Sequence, residues 1–237
     1  MAGFQSFYFD CDSTLSSIEG VDELTQILPP AQQAELAALT HQAMEGAIPL
    51  ARIYEERLSQ VAPSSADLAR VGERYIENAV PDCAATIAAL QFLGKQVGII
   101  SGGLHQPVLI LAKHLNIPAS NVHAVPVLFD DTGNYCSFDH QSPLWQNGGK
   151  IKILAEIPAS HRPVLFMGDG ATDLETQGHV DLFVGYGGIE RRSAVEAGAD
   201  VYLTEASLAG VLAIGLTPAE KNTLQSHPTF GALLPSP

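Results

Sequence analysis

Short runs of apolar and β-branched residues recur along this chain at positions 4–9, 97–100, 164–167, 181–185 and 200–204, and stretches of helical periodicity separate most of them. Such alternation predicts an α/β fold, a doubly wound parallel sheet with helices on both faces. Ligands of these sheets bind beyond the carboxyl ends of the strands. The first run is followed by an interruption, residues 16–77, with only helical patterns, at 19–28, 31–45, 49–61 and 64–79. Ser64 and Asp67 are spaced as an acidic capping pair at the start of the last of these. An insertion at this point predicts a helical cap over the carboxyl end of the first strand.

A smaller insertion, 122–139, has β-rich flanks around Asp130-Asp131-Thr132-Gly133-Asn134, the chemistry of a hairpin turn. Near the end, Thr217, Pro218 and Glu220 combine a cap residue, a proline at the first helical position and an acid three residues after the cap. The expected organisation is a discontinuous core (1–15 and 78–216), a helical cap (16–77) and a C-terminal helix and tail (217–237). The tail from 226 carries three prolines and no periodicity, which predicts loose attachment.

With 237 residues the chain can bury a full core without disulfide staples. A formal charge of −14, from 12 basic against 26 acidic residues, argues against nucleic acid or an anionic membrane as partner. An anionic substrate therefore needs local positive charge or a metal. No apolar run reaches membrane-spanning length, and the start has no basic leader before an apolar stretch. Cys11, Cys83 and Cys136 are odd in number and widely spaced, so neither a disulfide framework nor a thiolate metal site is expected. These features predict a cytoplasmic protein.

Candidate chemistry begins where the first apolar run ends, at Phe9-Asp10-Cys11-Asp12-Ser13-Thr14. Residues two apart in an extended chain share a direction, so Asp10 and Asp12 face one site. A carboxylate that attacks phosphorus forms an acyl phosphate and splits one difficult hydrolysis into two easier steps. Asp10, first beyond the strand, is the nucleophile candidate; Asp12 is placed to protonate the leaving alkoxide and then take a proton from water. Ser101, Gly102 and Gly103 follow the second run and offer a hydroxyl and backbone amides to phosphate oxygens, with a helix start behind them. Gly148-Gly149-Lys150-Ile151-Lys152 opens a helix with lysine in its first turn; residues two apart on a helix diverge, and the preceding glycines favour Lys150. Asp169 and Asp173 follow the run at 164–167. Asp10, the backbone carbonyl of Asp12 and Asp169 form an oxygen-rich set suited to Mg²⁺. Asp173 either contacts the ion through water or holds Lys150 and its loop.

These four elements resemble the pattern of the haloacid dehalogenase superfamily of phosphohydrolases, D-x-D-x-T, a Ser or Thr after the second strand, a Lys, and G-D-x-x-x-D, in that order. Within it the chain is similar to the phosphoserine phosphatase family at 9–24, 44–49, 56–58, 100–103, 116–122 and 168–173. The resemblance implies Mg²⁺-dependent hydrolysis of O-phospho-L-serine, a small phosphomonoester, through phospho-Asp10, and it allows a homodimer. It implies that Glu19 takes the substrate ammonium, that Arg57 takes its carboxylate, and that Met44 and Leu50 form an apolar wall. Leu50 stands where the family often has an aromatic residue, and Glu45 replaces a small residue of some relatives, changes that would admit a related substrate such as homoserine phosphate. Thr172 stands where many relatives have Asn and keeps a donor for the phosphate or a metal-bound water. A catalytically silent phosphate-binding module with this fold is the alternative from another class. Gly185-Tyr186-Gly187-Gly188 lacks the spacing of a dinucleotide-binding turn, and the eight histidines show no metal-ligand spacing. Trp145 is expected either to seal the base of the cap or to face a partner.

Overall fold

The computed structural model describes residues 3–234 except 27, 45, 46 and 49, and leaves aside the side chains of 43, 44, 50, 52 and 53. Six parallel strands form the main sheet: β1 (Ser6–Phe9), β2 (Gln96–Leu104), β3 (Val122–Val125), β6 (Val164–Gly168), β7 (Leu182–Tyr186) and β8 (Val201–Leu203). Their order is β3-β2-β1-β6-β7-β8. From β1 the chain winds outward through β2 and β3, then returns to lay β6, β7 and β8 on the other side. The reversal lies between β1 and β6, whose carboxyl ends therefore open a crevice.

Helices α5 (Cys83–Phe92), α6 (His105–His114), α7 (Gly149–Ala155), α8 (Ala171–Leu174), α9 (Ser193–Gly198), α10 (Gly210–Gly215) and α11 (Pro218–Gln225) complete the core. Because the central strands are covered on both faces, they are apolar throughout rather than alternating. Phe7, Phe9, Phe166 and Phe183 are fully buried, each contributing on the order of 2–3 kcal/mol through burial.

Between β1 and β2 stand the cap helices α1 (Gly20–Thr25), α2 (Pro30–Met44), α3 (Leu50–Val61) and α4 (Ser65–Glu77). The Ser64 hydroxyl accepts from the Asp67 amide at 3.2 Å while the Asp67 carboxylate accepts from the Ser64 amide at 2.8 Å, the reciprocal cap read from the sequence. Gly72 lets α4 press on α6, since a Cβ there would lie 2.6 Å from Ile110 Cδ1. The two connections to the core pair with each other: Ser17 N–H donates to Asn78 O at 2.9 Å and Val80 N–H to Leu15 O at 3.0 Å.

Two expectations change. Residues 122–125 are the β3 edge of the main sheet, in parallel register with β2, because Val122, Ala124 and Val125 bury against the core. The hairpin is the shorter β4 (Val127–Phe129) and β5 (Tyr135–Phe138), closed by an Asp130 carboxylate that accepts from Thr132 and Asn134 amides, each at 2.9 Å. The tail is packed as far as Leu234: Phe230 stacks on His227 at 4.5 Å and meets Phe92 at 5.6 Å. Its two buried apolar side chains among the described residues, Phe230 and Leu234, override the prolines. The helix α11 begins as expected, with Thr217 and Glu220 capping it reciprocally. No helix among the described residues is long and apolar enough to cross a membrane.

Candidate active site

Asp10 is the first residue beyond β1, and its amide donates to Met167 O on β6 at 2.9 Å. Asp169 follows directly on the last residue of β6. One Asp10 oxygen accepts from the Cys11 amide at 2.7 Å; the other is 2.9 Å from Lys150 Nζ. Lys150 is the second residue of α7, and two glycines bring that helix in. Gly148 has φ +72°, and a Cβ on Gly149 would lie 2.1 Å from Pro143 O. Lys150 is 3% exposed while Lys152 faces solvent. Its ammonium also donates to an Asp173 oxygen and lies 5.7 Å from the Phe166 ring centroid. The second Asp173 oxygen accepts from Gly170 N–H at 2.9 Å, so Asp173 is the residue that holds Lys150 and its loop.

Asp12 Oδ1 accepts from the Gly20 amide at 2.7 Å and from the Tyr75 hydroxyl at 2.6 Å, which ties the second acid to cap helices α1 and α4. Its other oxygen faces the end of β2, where a Cβ on Gly103 would come within 2.7 Å of it. Ser101 is fully buried and accepts from the Gly103 amide at 3.0 Å; β2 runs on through both, so this Ser-Gly-Gly is extended strand and not a turn. Thr14 donates to one Asp169 oxygen at 3.1 Å and Arg192 Nε to the other at 3.0 Å. Arg192 also reaches Glu19 at 3.8 Å, and Glu19 accepts from the Ser13 hydroxyl at 2.7 Å. Ser13 holds a left-handed φ of +49°, a strained conformation kept by this network.

One narrow cavity, about 30 Å³, is lined from the core by Asp10, Asp12, Ser101, Gly102, Gly103, Lys150 and Thr172, and from the cap by Glu19, Val21, Tyr54 and Arg57. Arg57 Nη2 is 2.8 Å from Asp22 Oδ1, which orients the guanidinium. Met44, like Leu50, has its side chain outside the described residues, and Glu45 lies outside them altogether. Trp145 meets Phe138 of the hairpin at 5.4 Å, and Phe138 meets Tyr54 of the cap at 5.2 Å, so Trp145 belongs to the packing under the cap.

Tyr54, Tyr75, Asp22 and Arg192 were not singled out from the sequence. Three of them lie on amphipathic cap helices, where nothing local separates them from ordinary surface positions. Arg192 had a readable signal, its place in the loop beyond the carboxyl end of β7.

Acids outnumber bases around this cavity, and burial dominates their titration. Burial and the nearby Asp10 charge push Asp12 up to about 7 against the pull of Tyr75 and Gly20. Burial raises Asp169 to about 7 despite Arg192, and Glu19 to about 8 with help from Asp12. It raises Asp173 as well, against Lys150. For Lys150 burial opposes the charge, but Asp10 and Asp173 outweigh it and keep the ammonium protonated. Carboxylate oxygens of Asp10, Asp169 and Asp173 lie within 4.8 Å of one another. A hard oxygen set with surplus negative charge fits Mg²⁺.

This surplus charge has a measurable effect on stability. Asp12 and Asp169 ordinarily titrate at 3.8 and here at about 7, so the folded state binds more protons than the unfolded state between those values. Their protonation stabilises the fold fully below the unfolded values, and that stability is lost as pH rises through about 7. Chelator-treated protein should therefore melt at a lower temperature at about pH 8 than at about pH 5.5, and added Mg²⁺ should restore most of the difference. A melting temperature that stays flat or rises across this interval without metal contradicts the account.

No family model matches the chain. The human phosphoserine phosphatase is 35% identical over 199 residues, which is 83% of this chain and 88% of the relative. A phosphoserine phosphohydrolase-like protein from Francisella tularensis superposes with a TM-score of 0.80 at 24% identity, covering 90% of this chain and all of that one. A phospho-aspartyl intermediate analogue of a phosphoserine phosphatase superposes at 0.75 with 22% identity, over 90% of this chain and 99% of its own; these two likenesses show the fold. On the identity to the human enzyme, carried over most of both chains and accompanied by the ordered acid, serine and lysine elements, the chain belongs to the phosphoserine phosphatase family of the haloacid dehalogenase superfamily.

Proposed function

We propose that this protein hydrolyses O-phospho-L-serine to L-serine and phosphate through a covalent phosphoryl group on Asp10. The observation that carries the reading is the shared cavity. The Asp10–Lys150 pair at its floor and Glu19 and Arg57 from the cap match the phosphate, ammonium and carboxylate of one small substrate. An Asp10 carboxylate oxygen attacks phosphorus through a remaining lone pair as the bond to the serine oxygen breaks. Asp12, whose pKa of about 7 leaves it partly protonated near neutrality, gives its proton to the departing alkoxide. Asp12 then takes a proton from water as that water attacks phosphorus, and the bond to Asp10 breaks to release phosphate. Ser101 and the amide of Gly102 are the donors for the non-bridging oxygens, with Gly103 beside them, and Lys150 offsets their charge. Thr172 borders the same space.

Mg²⁺ would be held by Asp10 and Asp169 with the Asp12 carbonyl, and when bound it supplies the positive charge that lets an anionic phosphate approach these acids. Two of the three thiols, Cys11 and Cys83, are buried, all three are unpaired, and the charge is −14, which supports a cytoplasmic setting and a small soluble substrate.

Steady-state kinetics on phosphoserine, phosphothreonine, homoserine phosphate, sugar phosphates and an aryl phosphate test the reading. Phosphoserine should have the highest kcat/KM; a sugar phosphate that wins by a wide margin removes it. In Arg57→Ala the ratio of kcat/KM for phosphoserine to that for the aryl phosphate should fall about 100-fold, because a buried charged contact is lost for one substrate alone. An unchanged ratio would separate Arg57 from substrate choice.

A further inference from the structure

Cap helix α3 brings to the cavity two polar groups that have no hydrogen-bond partner among the described residues, the Tyr54 hydroxyl and Arg57 Nε, both buried. A spacing of three puts both side chains on one face of the helix. The Tyr54 ring is 4% exposed and packs edge-on against Phe138, with centroids 5.2 Å apart and planes at 65°, so the hydroxyl cannot turn out to water. A phenolic hydroxyl buried without a partner is unfavourable, and a native structure that keeps one has a use for it. Arginine only donates, and its positive charge beside a phenolic O–H favours an anionic acceptor that takes a proton contact from each. Glu19, already engaged by Ser13 and Arg192, marks the side of the cavity suited to a cation.

We propose that Tyr54 is a specificity-determining residue of this pocket, its hydroxyl donating to the substrate carboxylate alongside Arg57 Nε. The proposal rests on the amino-acid phosphate reading above and adds to it a residue outside the family pattern. Tyr54 does not take part in the phosphoryl steps; its contact exists equally in the bound and reacting states, so its removal should act on KM more than on kcat.

The test compares O-phosphoserine with O-phosphoethanolamine, which keeps the phosphate and the amine but lacks the carboxylate, in the Mg²⁺-loaded parent and in Tyr54→Phe. Phenylalanine preserves the ring packed on Phe138 and deletes only the oxygen. The ratio of kcat/KM for phosphoserine to that for phosphoethanolamine should fall about 10- to 100-fold in the variant, with the loss mainly in the phosphoserine KM. A variant with the parent's ratio overturns the proposal and leaves the phosphoserine reading standing. So does a variant that loses both substrates equally, since the hydroxyl would then serve the phosphate or the fold. A parent that does not prefer phosphoserine over phosphoethanolamine overturns the amino-acid phosphate reading, and this proposal with it.

Discussion

Asp10→Asn should lower kcat on phosphoserine by about 10⁴-fold or more and abolish the hydroxylamine-labile phosphoenzyme that the parent forms. The amide has nearly the shape of the carboxylate and can still accept from the Cys11 amide, as the native side chain does at 2.7 Å. It cannot attack phosphorus. Lys150 keeps its bond to Asp173, so the floor of the cavity stays assembled and the loss reports chemistry rather than unfolding. Acid quenching of a single turnover with labelled phosphate reads both quantities. A variant that still accumulates protein-bound phosphate would move the nucleophile elsewhere, with Asp12 or another acid the next residue to examine.

Lys150→Met should destabilise the protein by about 3–5 kcal/mol and lower kcat/KM by about 10²- to 10³-fold. Methionine fills similar space beside Phe166, so little of the effect comes from a void. The cost arises because Asp10 and Asp173, 5% and 0% exposed, are left facing each other without their shared cation. Burying one member of an ion pair without the other is far more costly than burying both. Burial already raises Asp173 and Lys150 pulls it down, so removing the lysine raises it further and makes protonation the route of relief. Urea unfolding at about pH 6 and about pH 8 should then show the larger loss at the higher pH, where the carboxylates must stay charged. A variant within about 1 kcal/mol of the parent at both pH values would mean that the ammonium contributes little to holding the acids together.

Much of this was legible before any coordinates. β1, β6 and β7 are short apolar runs ended by acid or glycine, and a strand buried on both faces leaves that trace in contiguous residues. Asp10, Asp12, Ser101, Lys150 and Asp169 could be singled out because each lies just beyond an apolar run or opens a helix, positions that in a parallel sheet converge on one edge. The exchange of β3 from hairpin to main sheet was not legible. Val122 and Val125 have the composition of either strand, and only the partner alongside distinguishes them. The tail misled for a related reason: three prolines are read locally, but Phe230 is held by Phe92 from a helix more than a hundred positions away.

What the amino-acid order determined by itself is the class of chemistry and the winding of the sheet, since both depend on which residue types follow one another at strand ends. Only the tertiary structure decided how those acids are tuned and what the cap offers them. Tyr75 on Asp12, Arg192 between Asp169 and Glu19, Asp22 behind Arg57 and the unpaired hydroxyl of Tyr54 come from remote segments. Burial and charge act through space, so their effect on a carboxylate appears only once the chain has closed around it.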